Sequence, residues 1–179
     1  MNPNEFYTKA NGLKLSVKHH LDEKLQEVPE KVRIFTQENC VLSGGCFSSL
    51  LHGEKINDYD LYLKDLSKTK ELLDLLGEYV GPAPLEEKPY AEAFVNGKII
   101  TANAITLSNR LQYIIRADFK SAKVMFDYVH CMVNYDLKED KLWVSQEQLE
   151  SILDKKLKTN NAIMINVHRK EKFRSRGWK

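Results

Sequence analysis

The chain has 179 residues, of which 42% are hydrophobic, and a formal net charge of +2 at pH 7. That length and apolar content suffice for one compact domain with a buried core, and they leave little room for a second large domain. The N-terminal sequence MNPNEFYTK has no apolar signal-like stretch, and no apolar run approaches the length of a membrane span, so neither secretion nor membrane insertion is expected.

The first half of the chain predicts helices on both sides of a glycine turn. Val17, Leu21 and Leu25 recur at helical spacing and Pro29 ends that pattern. Ser67 is the predicted N-cap of a leucine-rich amphipathic helix. In chain order we predict a helix over 13–28, short apolar segments at 33–35 and 41–42, a helix over 46–52, a strand over 58–63 and a helix over 67–79.

The second half predicts several strands followed by helices. Asn96-Gly97 is typical of a two-residue hairpin turn, and Ser145 with Gln148 predicts a capping box at a helix start. In chain order we predict strands over 90–95, 99–107 and 111–115, a helix over 117–126, a strand over 129–135, a helix after 145 and a last helix over 161–174. This pattern indicates an α/β (α+β) fold, with a mixed β-sheet flanked by helices and with helices at the C-terminal end.

The segment VLSGGCFSSLLHGEKINDYDLYL, residues 41–63, carries the candidate chemistry. Asp58 and Asp60 stand at positions i and i+2 of a predicted strand, so both carboxylates point to one side while Tyr59 and Leu61 face the opposite layer. Two converging carboxylates suit Mg²⁺, which prefers oxygen ligands and commonly shares its coordination sphere with substrate phosphates. The pair could also be ordinary turn acids, because Asn57-Asp58 alone would suit a loop.

Gly44-Gly45, ahead of a predicted helix start, would supply backbone N–H groups for phosphates, although two glycines alone could form only a flexible turn. The spacing G-G-x-x-x-x-x-L-x-G-x-x-x-x-D-x-D resembles the signature of the DNA polymerase β-type nucleotidyltransferase superfamily. It is most similar to the head domain of the tRNA CCA-adding enzymes and bacterial poly(A) polymerases. A second stretch, 127–136, is similar to a later segment of that family and matches it at Asp127, Tyr135 and Asp136. The layout also resembles small nucleotidyltransferase-like proteins of bacteriophages.

The resemblance implies a nucleotidyltransferase fold and a Mg²⁺- or Mn²⁺-dependent transfer of a nucleoside monophosphate from a nucleoside triphosphate to a hydroxyl. It implies that Asp58 and Asp60 hold the metal and are catalytic. The residues that would contact the nucleotide are Ser43, Gly44, Gly45, Ser48, Ser49 and Asp127. Further cations that could contact phosphate or RNA are Lys55, Arg116, Arg174 and Arg176.

Two departures from the family pattern bear on the activity. Ser48-Ser49 replaces an Arg-Asp pair of the CCA-adding enzymes, which argues against CCA addition as such. The superfamily commonly supplies a third carboxylate from a later strand, whereas the predicted strand 111–115 offers Gln112. Either Asp127 completes the site from another element or a two-metal arrangement is incomplete. Asp127 could equally cap a helix-to-strand junction.

The C-terminal segment is strongly basic. Residues 155–179 carry nine Lys and Arg against Glu171 alone, a charge of +8 that leaves −6 for the rest of the chain. Phe173 and Trp178 interleave with these cations, so the segment could bind an RNA backbone and stack on bases, or it could be a solvated helix whose aromatics pack on the core. We predict a single domain over 1–179, with its core at about 30–136 and a basic helical segment over 145–179.

The predicted partners are a nucleoside triphosphate and an RNA acceptor, with a tRNA 3′ end favoured. The alternatives are a toxin-like transferase that modifies a protein or tRNA, and a catalytically impaired nucleotide- or RNA-binding relative. An antiviral or anti-signalling factor that works through partner contacts is a third possibility, which no sequence feature specifically supports. The sequence does not indicate an oligomeric state.

The cysteines and histidines suggest no further site. Cys40, Cys46 and Cys131 are odd in number, lack C-x-x-C spacing and have apolar neighbours, so we expect buried free thiols in a cytoplasmic protein of a bacterial or phage-infected cell. His130 is predicted to be a half-buried strand residue, and His19-His20 to lie on the surface.

Overall fold

A computed structural model describes residues 1–82, 91–160 and 167–179. In those ranges the helices are α1 (Pro3–Gln26), α2 (Glu30–Asn39), α3 (Cys46–Leu51), α4 (Thr69–Glu78), α5 (Phe119–Lys123), α6 (Gln146–Leu153) and α7 (Val167–Ser175). The strands are β1 (Cys40–Ser43), β2 (Tyr59–Leu63), β3 (Ala93–Val95), β4 (Lys98–Ile100), β5 (Ala104–Leu107), β6 (Leu111–Ile114), β7 (Asn134–Asp136) and β8 (Lys141–Trp143). None of the described helices is both long and apolar enough to cross a membrane.

The eight strands form one mixed sheet in the order β3-β4-β5-β6-β2-β1-β7-β8. The pairing of β2 with β6 is parallel, and the other neighbouring pairs are antiparallel. The predicted α/β architecture with a mixed sheet and C-terminal helices is therefore confirmed. The predicted hairpin is also present: Asn96 and Gly97 both have positive φ, at 49° and 77°, as a two-residue turn between β3 and β4 requires.

Strand β2 shows how the sheet separates two apolar clusters. Leu61 and Leu63 belong to the main core, together with the α1 stripe of Leu13, Val17, Leu21 and Leu25. Tyr62, between them, points to the other side. On that side lies the aromatic cluster, which comprises Tyr62, Ala122, Phe126, Tyr128, Cys131, Phe173 and Trp178. The basic C-terminal segment is therefore packed against the sheet through its aromatic residues.

Two helix starts were predicted from caps, with opposite outcomes. The capping box at α6 is confirmed, because Ser145 Oγ accepts from the Gln148 N–H while Gln148 Oε1 accepts from the Ser145 N–H. The predicted Ser67 cap is wrong. Asp65 Oδ1 accepts from the Ser67 N–H at 2.8 Å, so Ser67 lies inside a 3₁₀ turn and α4 begins at Thr69.

Three further predictions are corrected by the structure. Residues 33–35, predicted to be a short apolar segment, lie within α2. The predicted strand over 99–107 is interrupted, because the Ala104 N–H donates to Thr101 Oγ1 in a turn between β4 and β5. The predicted strand over 129–135 begins only at Asn134, after a 3₁₀ turn over Val129–Met132. The predicted start of a strand at residue 90 and of the last helix at residue 161 lie outside the described residues.

The cysteines and His130 are buried in the two apolar layers. Cys40, Cys46 and Cys131 are free thiols, as predicted. Burial raises the pKa of Cys40 to about 12 and that of Cys131 to about 11, so both are thiols at neutral pH. His130 is 1% exposed rather than half-buried, because Trp178 stacks on its ring with centroids 4.0 Å apart.

Candidate active site

The two acids Asp58 and Asp60 occupy the face of the sheet opposite the main core. Their neighbours Tyr59 and Leu61 are buried in that core, as the alternation of strand side chains predicts. Asp58 directly precedes β2 and Asp60 lies within it, and both line one cleft. The sequence-based expectation that the two carboxylates share one side is therefore met.

Asp60 sits in the middle of three paired strands. In register it lies opposite Ser43 of β1 and opposite Gln112 of β6. The backbone at Gly44 also approaches it closely: a Cβ built on Gly44 would lie 2.5 Å from Oδ2 of Asp60, and the φ of Gly44 is +98°. A side chain at this position would collide with the carboxylate and would strain the backbone. Glycine is thus required at residue 44.

The cleft has a volume of about 630 Å³ and two oppositely charged walls. The acidic wall is formed by Asp58 and Asp60. The basic wall is formed by Arg169 and Lys172 of α7 and by Arg176, which follows that helix. The remaining lining residues are Gly45, Cys46, Ser49, Asn57, Glu92, Thr101, Ala102, Asn103, Ala104, Gln112, Ile114 and Phe173.

Arg169 connects the basic wall to Asp127. Its Nε lies 3.0 Å from Oδ2 of Asp127, and its Nη2 donates to Sγ of Cys131 at 3.4 Å. Burial opposes the positive charge, yet the neighbouring Cys131, Asp127 and Asp60 raise the pKa of the guanidinium. Arg169 is therefore fully charged at the side of the cleft that faces Asp60.

Arg176 is held in place by α3 and by the loop that follows it. Its Nη2 donates to Oε2 of Glu54 and to Oγ of Ser49, the latter at 3.1 Å. Lys155 Nζ donates to the other oxygen of Glu54 and also to the Arg176 carbonyl, at 3.2 Å for the carbonyl. Burial works against ionisation of Glu54, but Lys155 and Arg176 outweigh it and lower the pKa of the carboxyl.

The predicted nucleotide-binding residues divide into two groups. Gly45 and Ser49 line the cleft with the acids. Ser43, Gly44, Ser48 and Asp127 do not. Ser43 Oγ donates to the carbonyls of Cys131 and Val133 and so ties β1 to the chain ahead of β7. Ser48 is buried, and its Oγ has no hydrogen-bond partner among the described residues.

The four predicted phosphate or RNA contacts are also spread out. Arg176 lines the cleft, whereas Lys55 is exposed and does not. Arg116 Nη1 donates at 3.1 Å to Oδ1 of Asn103, which lines the cleft, so Arg116 lies near its rim. Arg174 lines a separate cavity.

The donor set of the acidic wall suits a metal that arrives with its substrate. Within the described ranges, no three or more His, Cys, Asp or Glu side chains are grouped to hold a metal ion. Gln112 stands where the family resemblance implies a third carboxylate, and its Nε2 donates to Oγ1 of Thr106 at 2.7 Å. Mg²⁺ is commonly bound by one or two carboxylates plus substrate phosphates, so Asp58 and Asp60 fit Mg²⁺ or Mn²⁺ in that role.

Sequence reasoning missed most of the basic wall and one acid. Arg169 and Lys172 were noted only as members of a basic run, and Glu92 was not singled out. The spacing of Arg169, Phe173 and Arg176, three to four residues apart, could have indicated one helix face with a buried aromatic between two cations. No local signal places that face over β2, because the contact joins residues more than a hundred positions apart.

Comparisons with known proteins identify a family and several structures of similar fold. The model of the family described as "Gad2: Gabija anti-defense 2 family protein" matches residues 12–155. No curated protein matches the chain.

The Thermotoga maritima CCA-adding enzyme complexed with tRNA is 14% identical, with 77% of this chain and 35% of that chain covered and a TM-score of 0.45. A CCA-adding enzyme in its apo form is 14% identical, with 80% of this chain and 36% of that chain covered and a TM-score of 0.47. A tRNA nucleotidyltransferase complexed with a primer tRNA and an ATP analogue is 15% identical, with 72% and 38% covered and a TM-score of 0.42. The chain thus spans little more than a third of the length of these structures.

Proposed function

The chain belongs to the Gabija anti-defense 2 family, and we propose that it serves such an anti-defence role as a metal-dependent nucleotidyltransferase. In this proposal the cleft transfers a nucleoside monophosphate from a nucleoside triphosphate to a hydroxyl acceptor, and the acceptor is an RNA 3′ end. The anti-defence part of the proposal rests on the family match, since it was not among the functions expected from the residues.

The observation that carries the proposal is the pairing of two charged walls in one cleft. Asp58 and Asp60 line one side of a cleft of about 630 Å³, and the other side is lined by Arg169, Lys172 and Arg176. A triphosphate with a bound divalent cation presents both negative oxygens and a positive ion, so it needs both kinds of wall. Catalysis of phosphoryl transfer depends mainly on positioning and on neutralising charge. The arrangement therefore suits a nucleotide triphosphate better than a neutral substrate.

Each wall has a distinct task in the proposed reaction. Asp58 and Asp60 would hold Mg²⁺, which when bound supplies positive charge to the phosphate oxygens. Arg169, Lys172 and Arg176 would bind the outer phosphates and stabilise the charge that develops on the departing pyrophosphate. The acceptor oxygen forms a bond to the α-phosphorus and releases its proton to water. The bond from that phosphorus to the oxygen shared with the β-phosphorus breaks, and pyrophosphate leaves with that oxygen.

The test is transfer of label from each α-³²P nucleoside triphosphate in the presence of Mg²⁺ or Mn²⁺ and total RNA. We expect label in RNA with the native protein, and a loss of about a hundredfold or more with Asp58→Asn or Asp60→Asn, because either change removes a charged metal ligand. Asp74→Asn is the matched control, since that residue pairs with Lys70 on exposed α4. Full activity of both cleft variants would refute the assignment.

A second candidate function is nucleotide or RNA binding without turnover. Two features favour it: Gln112 in place of a third carboxylate, and no three His, Cys, Asp or Glu side chains among the described residues that are grouped to hold a metal ion. This candidate predicts a thermal shift with nucleotide and Mg²⁺ but no labelled product under any condition. Label moving into protein instead of RNA would keep the transferase and change its acceptor.

A further inference from the structure

Helix α7 presents cations on two of its faces. One face supplies Arg169 and Lys172 to the cleft of the proposed active site. A neighbouring face supplies Lys170 and Arg174 to a second cavity of about 230 Å³. Residues four apart lie on one face of a helix, so Lys170 and Arg174 act together. The two cavities thus share one helix but have separate linings.

The side chains that line the second cavity include three cations and no acid. This cavity is lined by Tyr128, Leu157, Thr159, Lys170, Arg174 and Lys179. No carboxylate of the described residues forms an ion pair with Lys170, Arg174 or Lys179. Three cations around one cavity repel each other unless an anion lies between them.

One of the residues that line the cavity carries a buried polar group that lacks a partner. Tyr128 is 1% exposed, and its hydroxyl has no hydrogen-bond partner within the described parts of the chain. Buried hydroxyls are normally hydrogen-bonded, since leaving one unpaired costs about 1–3 kcal/mol. An unsatisfied hydroxyl on a residue that lines a cationic cavity is a second observation that points to an anionic ligand.

The residues that line the second cavity are fixed by packing and by backbone hydrogen bonds. Phe173 of α7 packs against the ring of Tyr128 with centroids 5.3 Å apart. Tyr128 forms an antiparallel bridge with Thr159, so two lining residues are fixed to each other. The backbone of Lys179 donates to the Lys155 carbonyl and accepts from the Leu157 N–H, both at 2.8 Å. The lining is therefore part of the fold and not a free tail.

We propose that this cavity, formed around Tyr128, Lys170, Arg174 and Lys179, binds a phosphate group of an RNA strand. The identity of the strand rests on the proposed function, in which RNA is the acceptor. A volume of about 230 Å³ is below the range of about 300–1,000 Å³ that is usual for complete small-molecule ligands, and it suits a single phosphate better than a whole nucleotide. One strand crossing α7 would contact this cavity with one phosphate and the basic wall of the cleft with another.

The test is binding of the full chain to a fluorescent single-stranded RNA of about 12 nucleotides, a usual length for such sites, over a series of salt concentrations. Lys170→Ala/Arg174→Ala should raise the Kd about tenfold or more. It should also reduce the slope of log K against log salt by about 0.7, since the cavity contacts one phosphate and each phosphate contact on a single strand contributes about 0.7. Tyr128→Phe, which removes only the hydroxyl, should raise the Kd about threefold.

The matched control is Lys31→Ala/Lys123→Ala, which removes the same charge from exposed positions on α2 and α5 and should change the Kd by less than about twofold. An equal loss in the control, or unchanged RNA binding in the Lys170/Arg174 variant, would overturn the proposal. If Lys170→Ala/Arg174→Ala lost binding to inorganic phosphate but kept its RNA affinity, the assignment to an RNA strand would be overturned.

Measuring label transfer and RNA affinity on the same proteins separates this inference from the proposed function. If no protein transfers label but only Lys170→Ala/Arg174→Ala loses RNA affinity, the phosphate site stands and the transferase assignment fails.

Discussion

At the scale of single residues, Asp60 is confined by its surroundings on the sheet. Ser43 and Gln112 flank it in register, and the backbone at Gly44 passes close to its carboxylate. The position of the acid therefore depends on a neighbour that has no side chain. Stability and the proposed metal binding at this site are therefore coupled, since both need the same close approach.

Gly44→Ala tests that coupling. The new Cβ would meet Oδ2 of Asp60 at 2.5 Å, and an alanine would have to adopt a φ of +98°. We expect the free energy of unfolding to fall by about 2–3 kcal/mol, because the strained backbone and the collision add to each other. Urea denaturation measures the change.

Gly12→Ala is the control for that substitution. Gly12 lies in α1, and a Cβ there would meet nothing within 4 Å. Helical Gly→Ala changes at open positions stabilise by about 0.5–1 kcal/mol. Equal effects of the two substitutions would show that residue 44 is not constrained as described.

The acids of the site could be predicted from sequence because their information is local. The spacing of Asp58 and Asp60, together with alternation along β2, is enough to place both carboxylates on one side. The orientation of Asp127 is not local. Its carboxylate bonds Arg169, and that partner comes from a helix 42 residues further along the chain. The sequence therefore does not decide whether Asp127 makes a structural contact or contacts the nucleotide.

At the scale of elements, the attachment of α7 to the rest of the molecule decides whether the cleft has a basic wall. Two kinds of contact hold the segment. Phe173 and Trp178 are buried in the aromatic cluster, and Glu54 binds both Lys155 and Arg176. The apolar contacts supply most of the attachment, while the ionic contact fixes where the last cation lies.

Glu54→Gln tests the ionic attachment. It removes the charge that holds Lys155 and Arg176, at a side chain that is only 25% exposed. We therefore expect the free energy of unfolding to fall by about 1–2 kcal/mol and trypsin to cleave faster after Arg176. Glu71→Gln, at an exposed pair with Lys68, should cost less than about 0.5 kcal/mol. If the two variants were indistinguishable, Glu54 would not anchor the segment.

The bounds of helices and strands also differ in whether a local or a distant contact determines them. The α6 start was predictable because Ser145 and Gln148 satisfy each other within one turn. The break between β4 and β5 is also local, since the Ala104 N–H donates to Thr101 Oγ1 three residues earlier, and the polar Thr101 and Asn103 are the signal that the strand prediction over 99–107 passed over. The 3₁₀ turn at Val129–Met132 depends on a distant contact instead: the Val129 N–H donates to the Lys158 carbonyl.

At the scale of the whole molecule, folding brings opposite charges together. Residues 155–179 carry +8 and the rest of the chain −6. In the structure that basic segment contributes one wall of the cleft and the acids of β2 contribute the other. The net charge of +2 therefore hides a strongly polarised cleft. Composition indicated the asymmetry, but only the packing of Phe173 and Trp178 shows where the positive end lies.

The global stability should depend on pH through His130. Burial, together with the charges of Arg169 and Arg176, lowers the pKa of this histidine to about 3. The unfolded chain binds a proton at this residue below about pH 6.5, whereas the folded chain does not until about pH 3. Unfolding therefore takes up a proton within that window, and the histidine makes stability fall as the pH falls from about 6.5 to about 3.

His130→Phe keeps an aromatic ring against Trp178 and removes the titration. Between pH 6 and pH 4 we expect the free energy of unfolding of the native protein to decline more steeply than that of the variant, by about 1.4 kcal/mol per pH unit. Urea unfolding at a series of pH values measures the two slopes, and the comparison of slopes is insensitive to any constant packing cost. His168→Phe, at a side chain that is 95% exposed, should leave the native slope unchanged. Parallel curves for the native protein and His130→Phe would mean that this histidine is protonated as easily in the folded state as in the unfolded one. The aromatic cluster would then have to admit water or a counter-ion that stabilises the charged ring.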